Sequence, residues 1–145
     1  MEDESEQTTP WSRATLRVSS PTLTTTEITE RLGREPTEAF ERGTLRSPRN
    51  PRSSRREEAL WLLESNLPAE RDLQAQLEWA ADTVASMRDQ LASLDPASID
   101  LFFGWEPPGS QNSFALDREL LAKLEGVPLD IVFDVYVTGR SSESD

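Results

Sequence analysis

Four segments of the chain have the alternating or short apolar pattern of β-strands. In the first, Ala14, Leu16 and Val18 alternate with polar residues. The second is a short apolar run around Trp61 that can be buried on both faces. The third and fourth, residues 98–107 and 129–138, again alternate. The pattern therefore predicts four strands, most of them with one apolar and one polar side.

Two short helices are predicted from their capping signals. Thr24 precedes the first, over residues 25–32, and Glu27 stands three positions later as its capping-box partner. The second follows Asp117, a residue type that caps helix N-termini.

A third, long helix is predicted between the second and third strands. Apolar residues recur there at intervals of three and four from Pro68 to Leu94, and the pattern ends at Asp95-Pro96. Such periodicity is typical of an amphipathic helix, here of about 25 residues.

The elements alternate in the order β-α-β-α-β-α-β. This order predicts an α+β fold in which a single four-stranded sheet packs against helices; the strand order is left open. We expect one domain over residues 11–138, with a disordered acidic tail at 1–10 and a disordered tail at 139–145. Residues 42–56 combine arginine, serine and proline, which favours a mobile loop.

Cysteine and histidine are both absent from the 145 residues. Their absence excludes serine-histidine and cysteine-histidine catalysis and the usual zinc and haem ligand sets. No apolar run is long enough to span a bilayer, and the N-terminus is acidic where a secretory signal would be basic. We therefore expect a cytoplasmic protein with no cofactor.

Charge is distributed unevenly along the chain. The formal net charge is -12, yet residues 42–56 contain six arginines and no acidic residue. Guanidinium groups pair with phosphate or carboxylate, so this segment is a candidate binding arm for an anionic partner. The alternative is a solvated linker, or a loop that lies against the acidic surface of the protein itself. The candidate residues are Arg42, Arg46, Arg49, Arg52, Arg55 and Arg56.

Two further sets of residues are candidate sites. If the third and fourth strands are neighbours, Asp100, Asp130 and Asp134 share one face of the sheet and are weak candidates for a carboxylate pair or an oxygen-ligand metal site. The alternative is an exposed polar face. Trp79 and Trp105 are candidates for a partner-binding surface, against the alternative of core packing.

Several stretches resemble one bacterial family. They include Glu35-Pro36-Thr37 followed by Gly43, the pair Leu60-Trp61 and the closing sequence LDIVFDVYV. Over roughly residues 14–137 the chain is similar to the small bacterial domain-of-unknown-function family numbered 4279. The resemblance implies a compact α+β domain and no particular reaction.

The leading functional hypothesis is a non-enzymatic bacterial binding protein that recognises a macromolecular partner, with an immunity-type inhibitor as one form. We expect the partner to be another protein and leave nucleic acid open through the arginine segment. The lack of catalytic residue types and the acidic body, which suits a basic partner, favour it. One alternative is a nucleic-acid-associated protein that uses the arginine segment. The other is an oxygen-ligand metal or carboxylate enzyme built on the three aspartates.

Overall fold

The sheet is built around the first strand. The computed structural model describes residues 9–137, which form five strands and four helices. In chain order these are β1 (Trp11–Ser20), α1 (Thr25–Leu32), β2 (Glu38–Phe40), β3 (Ala59–Glu64), α2 (Leu73–Ser86), α3 (Arg88–Ala92), β4 (Ser98–Glu106), α4 (Arg118–Leu124) and β5 (Asp130–Val135). The α+β class and the single sheet are confirmed, with five strands where four were predicted.

The strands lie in the order β2-β3-β1-β4-β5. β1 pairs antiparallel with β3 and with β4, β2 pairs antiparallel with β3, and β5 runs parallel to β4. Leu16 lies directly between Leu63 of β3 and Leu101 of β4. Because side chains alternate along each strand, this register puts the apolar sets of three strands on the same face.

That face is the core. Leu16, Val18, Trp61 and Phe103 are almost fully buried there, among apolar side chains from the helices. The Trp61 indole also donates a hydrogen bond to the Thr29 hydroxyl of α1 at 3.0 Å. The described helices therefore cover one side of the sheet, and the other side carries half-buried and exposed residues.

β2 was not predicted. It has three residues and little burial, so neither its length nor its pattern distinguishes it from a loop. Its pairing with β3 is extended by the Thr37 backbone N–H, which donates to the Leu62 carbonyl at 2.7 Å. Tertiary pairing with an existing strand, rather than a local signal, therefore forms β2.

The predicted long helix is two helices. The first, α2, begins at Leu73, where the Asp72 side chain accepts a hydrogen bond from the Ala75 N–H. Met87, whose φ is -124°, separates it from the second, α3. The apolar periodicity runs through the interruption because Met87 and Leu91 are both buried in the core. A break that preserves the buried face leaves no trace in the hydrophobic pattern.

Both predicted helix caps are confirmed. The Thr24 hydroxyl accepts from the Glu27 N–H at 3.1 Å, and the Glu27 carboxylate accepts from the Thr24 N–H at 2.9 Å. Asp117 accepts from the Leu120 N–H at 2.9 Å. The predicted tails lie outside the described residues, except for Thr9 and Pro10. Within residues 9–137, no helix is long and apolar enough to cross a membrane.

One buried polar side chain joins the helices to the sheet. Gln76 of α2 is fully buried, donates to the Ser12 carbonyl at 3.1 Å and accepts from the Ser65 hydroxyl at 2.6 Å. We predict that Gln76→Leu lowers the free energy of unfolding by about 1–3 kcal/mol, because it leaves buried polar groups unpaired. Urea denaturation measures this.

The matched control is Gln90→Leu on the exposed surface of α3, which should change the free energy of unfolding by less than about 0.5 kcal/mol. Equal stability of Gln76→Leu and the wild type would show that this link contributes nothing.

Candidate binding site on the open face of the sheet

We call the side of the sheet that the described helices leave uncovered the open face. It is formed by the odd-numbered residues of β1 and the even-numbered residues of β3, β4 and β5, as the register requires. Its central residues are Trp11, Arg13, Thr15, Arg17, Leu62, Glu64, Asp100, Phe102, Gly104, Asp130, Val132 and Asp134.

An aromatic cluster occupies one end of the open face. The Trp11 ring lies across Gly104, where a Cβ atom would come within 3.1 Å of the ring. Tyr136 packs against Trp11 with a centroid distance of 5.1 Å, and the Arg13 guanidinium lies 5.6 Å from the Trp11 centroid. Gly104 thus provides the space that lets Trp11 lie flat on the sheet.

Two more arginines stack on aromatic rings. The Arg17 guanidinium lies 4.5 Å from the Phe102 centroid and binds the Asp100 carboxylate with two hydrogen bonds, at 2.7 and 3.0 Å. The Arg56 guanidinium lies 4.2 Å from the Phe40 centroid. These contacts fix the orientation of both arginines before any partner binds.

Two clefts flank Trp11. One, of about 330 Å³, lies between β1 and the loop that follows β3. Its lining includes Trp11, Arg13, Thr15, Glu64, Leu67, Phe102 and Tyr136. The other, of about 420 Å³, is bounded by Trp11, Trp105 and the loops around Arg71 and Asn112. Both volumes fall in the range that holds a small ligand or a few side chains of a partner.

The three candidate aspartates lie on this face, but they do not form a cluster. Asp100 and Asp130 are neighbours in the β4–β5 register, and Asp100 is engaged by Arg17. Asp134 is opposite Gly104, four residues and about 13 Å along the strand from Asp130. Among residues 9–137, no three acidic side chains come together as a metal site.

The two candidate tryptophans lie on the other side of the sheet. Trp79 of α2 is partly buried against the core. Trp105 points to the helix side of β4 and contacts Phe114 edge-on at 5.5 Å. Neither belongs to the open face, although Trp105 lines the larger cleft. Their partner-binding role stays a prediction.

Residues 42–56 form a hairpin, which we call the arginine hairpin. Its arms are joined by backbone hydrogen bonds from Gly43 to Arg56, from Arg56 to Thr44 and from Arg46 to Ser54, all 2.8 to 2.9 Å long. The sequence predicted no regular pairing here, because composition does not report which residues meet across a turn. The predicted mobility of the segment is not tested by this pairing.

The tip of the arginine hairpin has its own hydrogen bonds. The Asn50 side chain accepts from the Arg52 N–H at 3.0 Å, and the Ser53 hydroxyl accepts from the Ser47 N–H at 2.9 Å. Such local contacts are typical of tight turns rich in serine and asparagine. They give the tip a defined backbone.

The six arginines differ in their contacts. Arg42 and Arg55 donate to the carbonyls of Pro21 and Gly43, and Arg56 covers Phe40. None of the six forms an ion pair with a carboxylate of residues 9–137. Four donate no side-chain hydrogen bond within that range, and three of these, Arg46, Arg49 and Arg52, also lack the ring contact that Arg56 makes.

Sequence reasoning overlooked the β1 residues of the open face. Trp11, Arg13 and Arg17 follow the same alternation that identified β1 as a strand, so the signal was present on its polar side. Phe102 and Tyr136 come next to them only through the strand order. The cluster as a whole was therefore not available from the sequence.

Tyr136 reports on this cluster. Its hydroxyl donates to the Asp134 carboxylate at 2.9 Å, and this hydrogen bond, together with the negative charge of Asp134, raises the pKa of Tyr136. We predict that Asp134→Asn lowers the pKa of Tyr136, because the neutral phenol loses its anionic acceptor. Phenolate absorbance is a direct measurement, since Tyr136 is the one tyrosine in the chain.

Glu64→Gln, which removes a carboxylate from the same face without touching Tyr136, should leave that pKa unchanged. An unchanged pKa of Tyr136 in Asp134→Asn would contradict the contact.

Comparison with known proteins gives a family and no further relative. The family model described as "Domain of unknown function (DUF4279)" matches residues 7–138. No curated protein and no solved structure matches the chain. Since the match spans nearly the whole sequence and agrees with the earlier resemblance, the chain belongs to the DUF4279 family.

Proposed function

We propose that this domain is a non-enzymatic binding protein that recognises another protein through the open face of its sheet. The observation that carries the proposal is the set of aromatic rings on that face, held in place by stacked arginines. Trp11, Phe102 and Tyr136 are its aromatic members, and Arg13 and Arg17 are the stacked arginines.

The residue types on the open face are those that contribute most to protein interfaces. Tryptophan, tyrosine and arginine are enriched among the few residues that provide most of the binding energy. Here their side chains are oriented by contacts within the domain, so binding costs less side-chain entropy. The two clefts beside Trp11 offer concave sites for partner side chains.

The charges of the open face favour a protein over a nucleic acid. Arg13 and Arg17 are outnumbered by the carboxylates Glu64, Asp100, Asp130 and Asp134. A phosphate backbone would be repelled by this surplus, whereas lysine and arginine side chains of a basic protein would be attracted. An immunity-type inhibitor that covers a basic toxin is one function of this class.

Site-specific crosslinking tests the proposal. A photoreactive benzoylphenylalanine in place of Glu64, which is exposed beside the smaller cleft, should form a nuclease-resistant protein adduct in cells of the native host. The same group in place of Gln90, which is exposed on α3, should form none. Adducts from both positions, or from neither, would contradict recognition by the open face.

The recovered partner then allows a quantitative test. Trp11→Ala should weaken the purified complex at least about tenfold in calorimetry, the scale expected of a central interface residue. Leu121→Ala, which truncates an exposed apolar side chain on α4, is the control and should leave the affinity unchanged.

A second candidate function rests on the arginine hairpin. Arg46, Arg49 and Arg52 project from its tip region without an intramolecular partner in the described range. Unpaired guanidinium groups on a turn with a defined backbone suit binding of nucleic-acid phosphates. The arginine hairpin adjoins the end of the open face opposite Trp11, where Arg46 and Arg56 line a cleft with Ser19 and Leu60. The two proposals are tested with variants at different residues.

Replacement of these three arginines by serine should abolish binding of a fluorescent single-stranded or duplex oligonucleotide, measured by anisotropy. In the wild type, the slope of log affinity against log salt should be about -2 to -3, as expected for three phosphate contacts. The control, serine at Arg31, Arg34 and Arg118, makes the same change in net charge at other exposed positions. Equal loss in both variants would attribute binding to overall charge.

A further inference from the structure

β5 is an edge strand that pairs with β4 on one side only. We propose that its outer edge pairs antiparallel with β5 of a second copy of this chain. The pairing would extend the sheet across a two-fold axis perpendicular to it. This inference rests on the edge itself and not on the proposed function of the open face.

The backbone of β5 has hydrogen-bonding groups available on that side. The Tyr136 N–H donates to the Trp105 carbonyl at 2.7 Å, so even-numbered residues of β5 direct their backbone groups toward β4. Because these groups alternate along a strand, those of Ile131, Phe133 and Val135 point outward. Within residues 9–137 they have no hydrogen-bond partner on the outer side.

The side chains of this edge are unusually apolar for an exposed position. Val135 and Tyr136 are each 48% exposed, and Val137 is 81% exposed. Edge strands usually avoid pairing by means of charged side chains, proline or a bulge. β5 contains Asp130 and Asp134 but no lysine and no proline, and its register with β4 is regular. A regular, apolar edge with free backbone groups is a surface on which another strand adds.

The charges of β5 favour a second copy as that strand. When the antiparallel pairing is centred on Phe133, Val132 lies opposite the partner's Asp134 and Asp130 lies opposite the partner's Tyr136. If the second copy is moved by two residues along the strand in one direction, Asp134 lies opposite the partner's Asp134. If it is moved by two residues in the other direction, Asp134 lies opposite the partner's Asp130. Directly opposed like charges destabilise a strand pair, so of these three registers only the one centred on Phe133 keeps each aspartate of β5 opposite an uncharged residue.

The two-fold axis has a consequence for the rest of the surface. An axis perpendicular to the sheet keeps both open faces on the same side, so the dimer would present two of them side by side. Each subunit carries a formal charge of -12, so the subunits repel each other and salt should strengthen the dimer by screening. Binding of nucleic acid has the opposite salt dependence.

Sedimentation of the full chain over about 1–300 μM tests the proposal, because small interfaces dissociate in that range. We expect a monomer–dimer equilibrium whose dissociation constant falls between about 50 and about 500 mM salt. These two concentrations differ about tenfold, so the screening length changes about threefold between them. A monomer at every concentration and both salt levels would overturn the proposal.

Charge variants test the register. Val132→Asp puts a carboxylate opposite the partner's Asp134 twice, by symmetry, and should weaken the dimer about tenfold. Adding Asp134→Lys to Val132→Asp should restore the affinity, because each new aspartate then lies opposite a lysine of the partner subunit. A dimer that Val132→Asp leaves unchanged, or that the double variant does not restore, would place the interface elsewhere.

A backbone variant gives an independent readout. Val135→Pro removes an N–H that points away from β4, so the hydrogen bonds between β4 and β5 are kept. We expect this variant to weaken the dimer and to keep the circular dichroism spectrum of the folded monomer. Thermal melting of all variants shows whether the monomer stays folded. Dimerisation of a folded Val135→Pro variant with wild-type affinity would exclude backbone pairing at this edge.

Discussion

Pairing of β1 with a strand on each side is the constraint on which the rest of the structure depends. β3 pairs with residues 15–20 and β4 with residues 11–19, so both neighbours take their register from one strand. That register decides which side chains enter the core and which form the open face. At the start of β1, Ser12 also binds the Arg71 carbonyl and the side chain of Gln76, which fixes α2 relative to the sheet.

Local signals in the sequence predicted what depends on local interactions. The capping residues of α1 and α4 form their hydrogen bonds within one helical turn, and the alternation in β1 and β4 reflects burial of one face. The elements that were missed depend on distant partners. β2 exists through its pairing with β3, and the interruption at Met87 keeps the buried face intact, so neither changes the pattern of apolar positions.

The candidate sites show the same division. The proximity of Asp100 and Asp130 followed from two neighbouring strands and is seen in the register. Arg17, which engages Asp100, comes from β1, and the strand order that puts β1 beside β4 was not readable from the sequence. Trp79 was a candidate because it stands beside the apolar positions of the predicted helix, and Trp105 because large aromatic residues are enriched at interfaces. Both rings lie on the helix side of the sheet.

The parallel pairing of β4 and β5 accounts for the surfaces that the domain leaves available. Parallel neighbours need a crossover connection, and here residues 107–129 supply it through α4. α4 packs with α2 on the helix side, where Leu120 and Leu124 enter the core. The crossover thereby adds to a side that was already covered, and only the loop around Asn112, beside Trp11, reaches the border of the open face. It also brings the chain into β5 at the end of the sheet, where the last described strand has no further strand beside it. The uncovered open face and the free edge of β5 therefore both follow from the crossover connection between β4 and β5 on the helix side.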